Sequence, residues 1–398
     1  MMELEVSGHN AGSGVKKRPR ICLASPRYFE KMVARCVDYE FEDTICQIDD
    51  VDLIATVPKF WLPVGKSVVF RLWHHLSSKF ALLNPGCEAL RLSKDYDLFM
   101  AVCMNPWDLL YLNAIKGWRQ RCQISVCWID ELWIRTLPYL KNLLLVLSRF
   151  DYVIIGCKGT LDPLQKLVKS RCDYLPPGVD AVRFCPYPNP IHRSIDVFNI
   201  GRRSQVTHAA LLKMAEQNRI FYIYDTIPSS TMFPDNYQQH RQLIANMAKR
   251  SRYFIVNTAK VDRHNETKGQ NELGFRFFEG AAAGTVMIGQ PPDNQTFNEH
   301  FDWPDAVIPM AFEEPDISTF LSHLDSEPER LAQIRKNGVI QSLLRHDWVY
   351  RWKAILDIVG LKPRPALVAR EQRLKQLAEM VNYTDAKFIR ESANAYSG

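Results

Sequence analysis

Short, unbroken apolar runs alternate with helical stretches twice along this chain, once on each side of a proline-dense connector. In the first half, Arg20–Ala24, Asp97–Met104, Gln123–Ile129 and Tyr152–Gly156 read as strands, with helical patterns over Pro106–Gly117 and Leu132–Phe150 between them. None of these runs alternates apolar with polar. A continuously apolar strand must be covered on both faces, which is the situation inside a parallel sheet flanked by helices. The connector is Leu175-Pro176-Pro177-Gly178-Val179-Asp180, then Phe184-Cys185-Pro186-Tyr187-Pro188-Asn189-Pro190; its proline density marks a linker. The second half predicts strands at Ile195–Ile200, Ile220–Tyr224, Tyr253–Val256 and Thr285–Ile288. Helices are expected at His208–Gln217, His240–Lys249, Asp316–Leu324 and Glu327–Leu344.

This alternation predicts an α/β protein with two doubly wound parallel sheets. The 398 residues suffice for two domains of roughly 150–200 residues each. The expected boundaries are a flexible tail over 1–19, a first domain over 20–185 and a second over 186–345. An amphipathic helix, Trp348–Val359, falls within a C-terminal segment 346–362 that crosses back to the first domain. A charged helical tail over 363–398 carries a helix at Val368–Val381.

Charge and cysteine usage narrow the function classes. The net charge of +6 is diffuse, and the one basic run, Lys16-Lys17-Arg18-Pro19-Arg20, precedes the first strand. No Lys/Arg stripe of nucleic-acid type is present, whereas anionic ligands or an acidic membrane surface suit the balance. The ten cysteines fall between Cys22 and Cys185 with no CxxC pair and no zinc spacing, so reduced thiols and no metal site are expected. Met1–Val15 lacks the apolar core of a secretory signal, and a cytoplasmic location is expected. Arg135, Pro138, Lys141 and Arg149 interrupt the apolar window Leu132–Phe150, which reads as a buried helix rather than a membrane span. The window Val68–Leu83 mixes Phe70, Leu72 and Trp73 with Arg71, His74, His75 and Lys79. It fits either an amphipathic helix packed on its own domain or an interfacial helix in peripheral membrane contact.

Candidate site residues cluster at expected strand ends. The stretch Asn271–Gly289 reads as a polar loop, a small-residue helix and a strand. Gly274, Phe275 and Arg276 open the helix, and a helix N-terminus beside a glycine suits phosphate. Glu272 and Glu279 lie seven positions apart and share a face if both are helical; a carboxylate there can accept hydrogen bonds from a sugar diol. Gly201-Arg202-Arg203 follows a strand and offers guanidinium forks to phosphate oxygens, or else two surface arginines. Asp130-Glu131 follows another strand; Asp130 can orient a hydroxyl, act as a base, or cap a helix. The loop Thr258–Gln270, with Lys260, Arg263, His264 and Lys268, either closes over phosphates or stays solvated. No GxSxG, HExxH or Walker A pattern occurs, and no GxGxxG follows the first strand, which removes the main support for dehydrogenase and P-loop readings.

Three segments together resemble the retaining glycosyltransferases of family 4, which have the GT-B fold of two Rossmann-like domains facing a central cleft. They are Tyr174–Asp180 with Phe184-Cys185-Pro186, Phe198-Asn199-Ile200-Gly201-Arg202, and Arg276–Ile288. The last also resembles spore-coat-type bacterial glycosyltransferases. The resemblance implies transfer of a hexose from a nucleotide diphosphate-sugar, with retention and without metal or other cofactor, in polysaccharide or glycoconjugate biosynthesis. The acceptor would be a sugar, a lipid-linked molecule or another small molecule. Glu279 would bind the donor's ribose, Asn271 or Glu272 its sugar or phosphates, and Arg202 or Arg203 its diphosphate. Asp130 and Glu272 are the carboxylates assigned to catalysis.

The chain departs from that pattern in four places. The family's first glutamate position is held by Asn271, with Glu272 one place late. No lysine follows Arg202-Arg203 within Gln205–Ala209. Ile129 stands where a histidine precedes the first-domain aspartate, and Ala24-Ser25-Pro26-Arg27 replaces a glycine-rich loop. A sugar-nucleotide epimerase or hydrolase on the same fold, or a non-catalytic binding or scaffold protein, are the alternatives.

Overall fold

The computed structural model describes residues 19–27, 32–59, 62–75, 78–227 and 232–395. The stretch 1–18, which holds nearly all of the expected N-terminal tail, lies outside them.

Six parallel strands form the first sheet: β1 (Ile21–Ser25), β2 (Val51–Ala55), β3 (Tyr96–Cys103), β4 (Cys122–Ile129), β5 (Tyr152–Ile155) and β6 (Arg171–Tyr174), in the order β2-β1-β3-β4-β5-β6. Five more form the second: β7 (Ile195–Asn199), β8 (Tyr222–Tyr224), β9 (Ser251–Asn257), β10 (Val286–Gln290) and β11 (Ile308–Pro309), in the order β8-β7-β9-β10-β11. These are also all parallel. The central strands β1, β3, β4 and β9 are almost wholly buried, which is why their sequences run apolar without alternation. In each sheet the order reverses beside the first strand, between β1 and β3 and between β7 and β9. Open parallel sheets bind ligands beyond the carboxyl ends of the strands at such switch points.

Five helices matter for the site: α1 (Cys36–Ile48), α2 (Tyr237–Arg250), α3 (Phe275–Ala282), α4 (Trp348–Val359) and α5 (Pro365–Ala395). A single apolar cluster joins Phe41 and Ile45 of α1, Phe184 of the connector, Phe254 of β9, Phe277 and Phe278 of α3, and Trp348 and Trp352 of α4. The two domains therefore share one core through α4. Trp348 stacks on Phe41 with ring centroids 4.7 Å apart, and Trp352 donates its indole N–H to Asp49 at 3.0 Å. Gly178 of the connector lies so close to the Trp348 ring that a Cβ there would fall 2.6 Å from it, a reason for glycine at this point of the strap.

Some expected elements differ in form. The helix predicted over Leu132–Phe150 is three pieces, Ile134–Thr136, Leu137–Leu144 and Leu145–Arg149, of which only the middle one is α-helical. Pro138 sits in the first turn of the α piece, where its missing N–H costs no helical bond. Pro106–Ala114 is a 3-10 helix capped by Asn105 and Asp108. The Val68–Leu83 window is the end of a helix, Leu62–His75, followed by a 3-10 turn, Ser78–Leu82, with residues 76 and 77 outside the described set. All ten cysteines are free. Among the described residues no helix is long and apolar enough to cross a membrane.

Candidate active site

A cleft of about 440 Å³ opens where the carboxyl ends of the two sheets face each other. That is within the roughly 300–1,000 Å³ common for small-molecule sites. Its first-domain wall is built from Met32, Val33, Ala34, Val37, Met104, Asp130 and Glu131, and its second-domain wall includes Gly201, Arg202, His240, Arg241, Asn257, Thr258, Lys260, Gly274, Phe275 and Arg276. Among the described lining residues the first wall carries two carboxyls and no cation. The second carries four cations and no carboxylate.

Asp130 continues directly from β4, its amide bonded to the Cys103 carbonyl at 3.0 Å. A Cβ at Gly156 would sit 2.6 Å from the Asp130 carbonyl, so glycine lets β5 pass against it. Asp130 caps no helix; the next helical turn begins after Trp133 and has no side-chain cap. Burial, then the negative charges of Asp38 and Glu131, push its carboxyl well above the ordinary range. Asp38 is raised too, by burial first, with Arg35 opposing and Glu42, Asp108 and Glu131 adding.

On the opposite wall Gly201 takes φ +86°, with open space where a Cβ would be, and its amide donates to Asp225 at 3.1 Å. Arg202 lines the cleft and meets Asp262 at 2.9 Å. Arg203 does not line it; its guanidinium is held by the side chain and carbonyl of Asp225 and lies over the Tyr224 ring. Lys260 lies 4.8 Å from the centre of the Trp133 ring and 3.9 Å from Glu131, spanning the cleft mouth.

The glutamates of the Asn271–Gly289 segment lie apart. Helix α3 begins at Phe275, with Gly274 extended at its N-cap. Glu272 is thus outside the helix and shares no face with Glu279, which corrects the shared-face expectation. Gly274, Phe275 and Arg276 line the cleft; Asn271 and Glu272 do not. The Glu272 carboxylate, 4% exposed, accepts the backbone N–H groups of Lys158 and Gly159 at 3.0 and 2.8 Å and the Gln270 amide at 2.7 Å. Burial raises its pKa, with those hydrogen bonds opposing. Glu279, 0% exposed, lies beneath the cleft floor with its carboxylate shared between Arg241 and Arg276. Burial acts to raise its pKa, but the two guanidiniums outweigh it and the net shift is downward.

His240 and Arg241, both on α2, were not marked by the sequence. A single histidine and arginine on a polar helix carry no spacing signal, and Arg241 is 2% exposed. His240 is pushed down by burial and by Arg241 and Arg276. Among the described residues no group of three potential metal ligands is assembled.

A glycosyl transferase-like family matches residues 209–357, less than half of the chain. No curated protein matches. Among solved structures, α,α-trehalose 6-phosphate synthase from Burkholderia multivorans superposes with a TM-score of 0.50 at 10% identity, covering 90% of this chain and 99% of that one. An α-glucosyltransferase solved with UDP-glucose and abasic DNA gives 0.49 at 10% identity, covering 86% and 99%. Anabaena HepE, solved with UDP-glucose, gives 0.49 at 12% identity, covering 85% and 99%. The chain has the GT-B fold: two parallel-sheet α/β domains facing a cleft.

Proposed function

We propose that the protein transfers a sugar from a nucleotide diphosphate-sugar to an acceptor hydroxyl in this cleft. The observation that carries the reading is the division of charge between the walls. Arg202, Lys260 and Arg276 and the N-terminus of α3 face the cleft from the second domain. Fixed cations and helix amides of this kind stabilise a leaving diphosphate without a metal. Asp130 faces them from the first domain, where it orients or deprotonates the acceptor. Retention at the anomeric carbon rests on the family resemblance. A lipid-linked acceptor would suit the exposed Val64, Val68, Phe70, Leu82 and Leu83 of the first domain, apolar side chains open to peripheral membrane contact.

One observation favours a second reading, a non-catalytic nucleotide-sugar-binding protein: Glu272 is engaged between the domains and Glu279 lies under two arginines. Calorimetry with UDP, GDP, ADP, CDP and dTDP, repeated with Arg276→Ala, tests both. Selective binding of one nucleotide, weakened by the substitution and followed by acceptor-dependent release of that nucleotide from its sugar donor, supports the transferase. Binding without turnover on any acceptor supports the second reading. No binding by folded protein removes both.

A further inference from the structure

We propose that Glu40, a first-domain residue outside the cleft, is a positioning residue for the nucleotide site on the second domain; this rests on the reading of the cleft given above. Glu40 lies on α1, 2% exposed, and its carboxylate accepts five hydrogen bonds from three other segments of the chain. The connector supplies the Asp180 amide at 2.9 Å and Arg183 Nη1 at 3.0 Å. Helix α4 supplies Trp348 Nε1 at 3.1 Å. Helix α2 supplies Arg241 Nε at 2.9 Å and Nη2 at 3.2 Å.

The two-point grip on Arg241 fixes the plane of its guanidinium, because the fork is rigid. The Phe184 ring, 5.1 Å away, supports the group from the side. Its remaining nitrogen, Nη1, is thereby aimed at Glu279 Oε1. The other Glu279 oxygen takes Arg276 Nη1 at 2.5 Å, and Arg276 is the first-turn cation of α3 that lines the cleft. The relay therefore runs from Glu40 through Arg241 and Glu279 to Arg276. Neutralising Glu40 leaves Arg241 with Glu279 as its one anionic partner, which draws that carboxylate toward α2 and releases Arg276. The connector and α4 join the domains and also bond to Glu40, so the relay ties the placement of Arg276 to the juxtaposition of the domains.

The test is nucleotide affinity of the full chain, measured with UDP, GDP, ADP, CDP and dTDP for the wild type, Glu40→Gln, Glu279→Gln and the double variant. Glutamine preserves volume and one acceptor oxygen. The expected result is at least tenfold weaker binding in Glu40→Gln. The double variant should bind within twofold of the weaker single one, because both substitutions break the same relay. A merely structural Glu40 would lower the melting temperature and leave the affinity of folded protein unchanged, which overturns the proposal. Should Glu40→Gln fail to fold, hydrogen exchange on the wild type decides. Saturating nucleotide should slow exchange over 36–48 and 180–184 as well as 274–282, whereas slowing confined to 274–282 overturns the relay. A folded wild type that binds none of the five nucleotides overturns the cleft reading, and the relay with it; binding by the wild type with unchanged affinity in Glu40→Gln overturns the relay alone.

Discussion

Gly159 of the first domain donates its backbone N–H to the Glu272 carboxylate of the second at 2.8 Å. The Lys158 amide joins it at 3.0 Å, and Gln270 ties the same loop to the Ile134 amide at 3.0 Å and the Thr160 hydroxyl at 2.9 Å. A Cβ at Gly159 would sit 3.0 Å from Glu272 Oε1, a tight contact that glycine avoids. Glu272 is thus held by backbone amides of the first domain and stands outside the cleft lining. Glu272→Ala should cost about 2 kcal/mol, since it strips two backbone amides of their charged, buried acceptor, while nucleotide affinity stays within a few-fold. Denaturant titration beside calorimetry checks this. Lost affinity at unchanged stability would return Glu272 to the donor site.

Arg202 and Arg203 are adjacent in sequence but differ in placement. Arg202 reaches the cleft with its side chain 42% exposed, paired with a half-exposed Asp262. Arg202→Ala should weaken nucleotide diphosphate binding about tenfold, an effect that shrinks as salt is raised, and should change stability by less than about 1 kcal/mol. Arg203 is locked by Asp225 and Tyr224; Arg203→Ala should cost about 1–2 kcal/mol of stability with affinity little altered. The opposite ranking in a salt series would show that Arg203 swings into the cleft.

The central strands were legible because burial on both faces leaves only apolar residues in them. β2 and β6 lie at sheet edges and are half-buried along most of their length, so VDLIA and RCDY gave a weak pattern. Helix α1 was illegible for a different reason. Asp38, Glu40 and Glu42 are all buried in it, whereas charges on a helix ordinarily mark its solvent face. For Glu40 and Glu42 that burial is offset by partners distant in sequence: Arg183 and Arg241 for Glu40, Arg27 for Glu42. The site divides in the same way. Gly201, Arg202 and the Gly274–Arg276 turn follow from strand ends and a helix start, which are local signals. The direction of Glu272 depends on Gly159, 113 positions away, and nothing near Glu272 announces it.

Asp130 sets a pH dependence whose sign is fixed. Burial, Asp38 and Glu131 hold its folded pKa well above the ordinary value. Its contribution to stability is therefore fully present below the unfolded value, about 3.9, and is lost as pH rises through the folded one. Asp130→Asn should gain stability relative to wild type across that rise. If ionised Asp130 serves the acceptor, the transfer rate climbs over the same interval. Glu131→Gln removes a negative neighbour and should move the climb to lower pH. A rate profile that stays in place in Glu131→Gln would take Asp130 out of the proton chemistry.

Glu279 behaves in the opposite sense, and its surroundings change what its removal means. From the sequence, Glu279→Ala is expected to weaken donor binding and leave the fold intact. In the structure the side chain is wholly buried between Arg241 and Arg276, and Arg241 is itself buried. Glu279→Ala should therefore cost about 3–5 kcal/mol, because it strands a buried guanidinium that Glu40 alone must then neutralise. The folded pKa of Glu279 lies below its unfolded value, about 4.3. The stability it supplies is present above that value and lost as pH falls through the folded one. Glu279→Gln should abolish this portion of the acid sensitivity, so its melting temperature should fall less steeply than that of wild type below about pH 4.3. Parallel acid limbs for the two proteins would mean that Arg241 and Arg276 do not hold the carboxylate as the geometry shows.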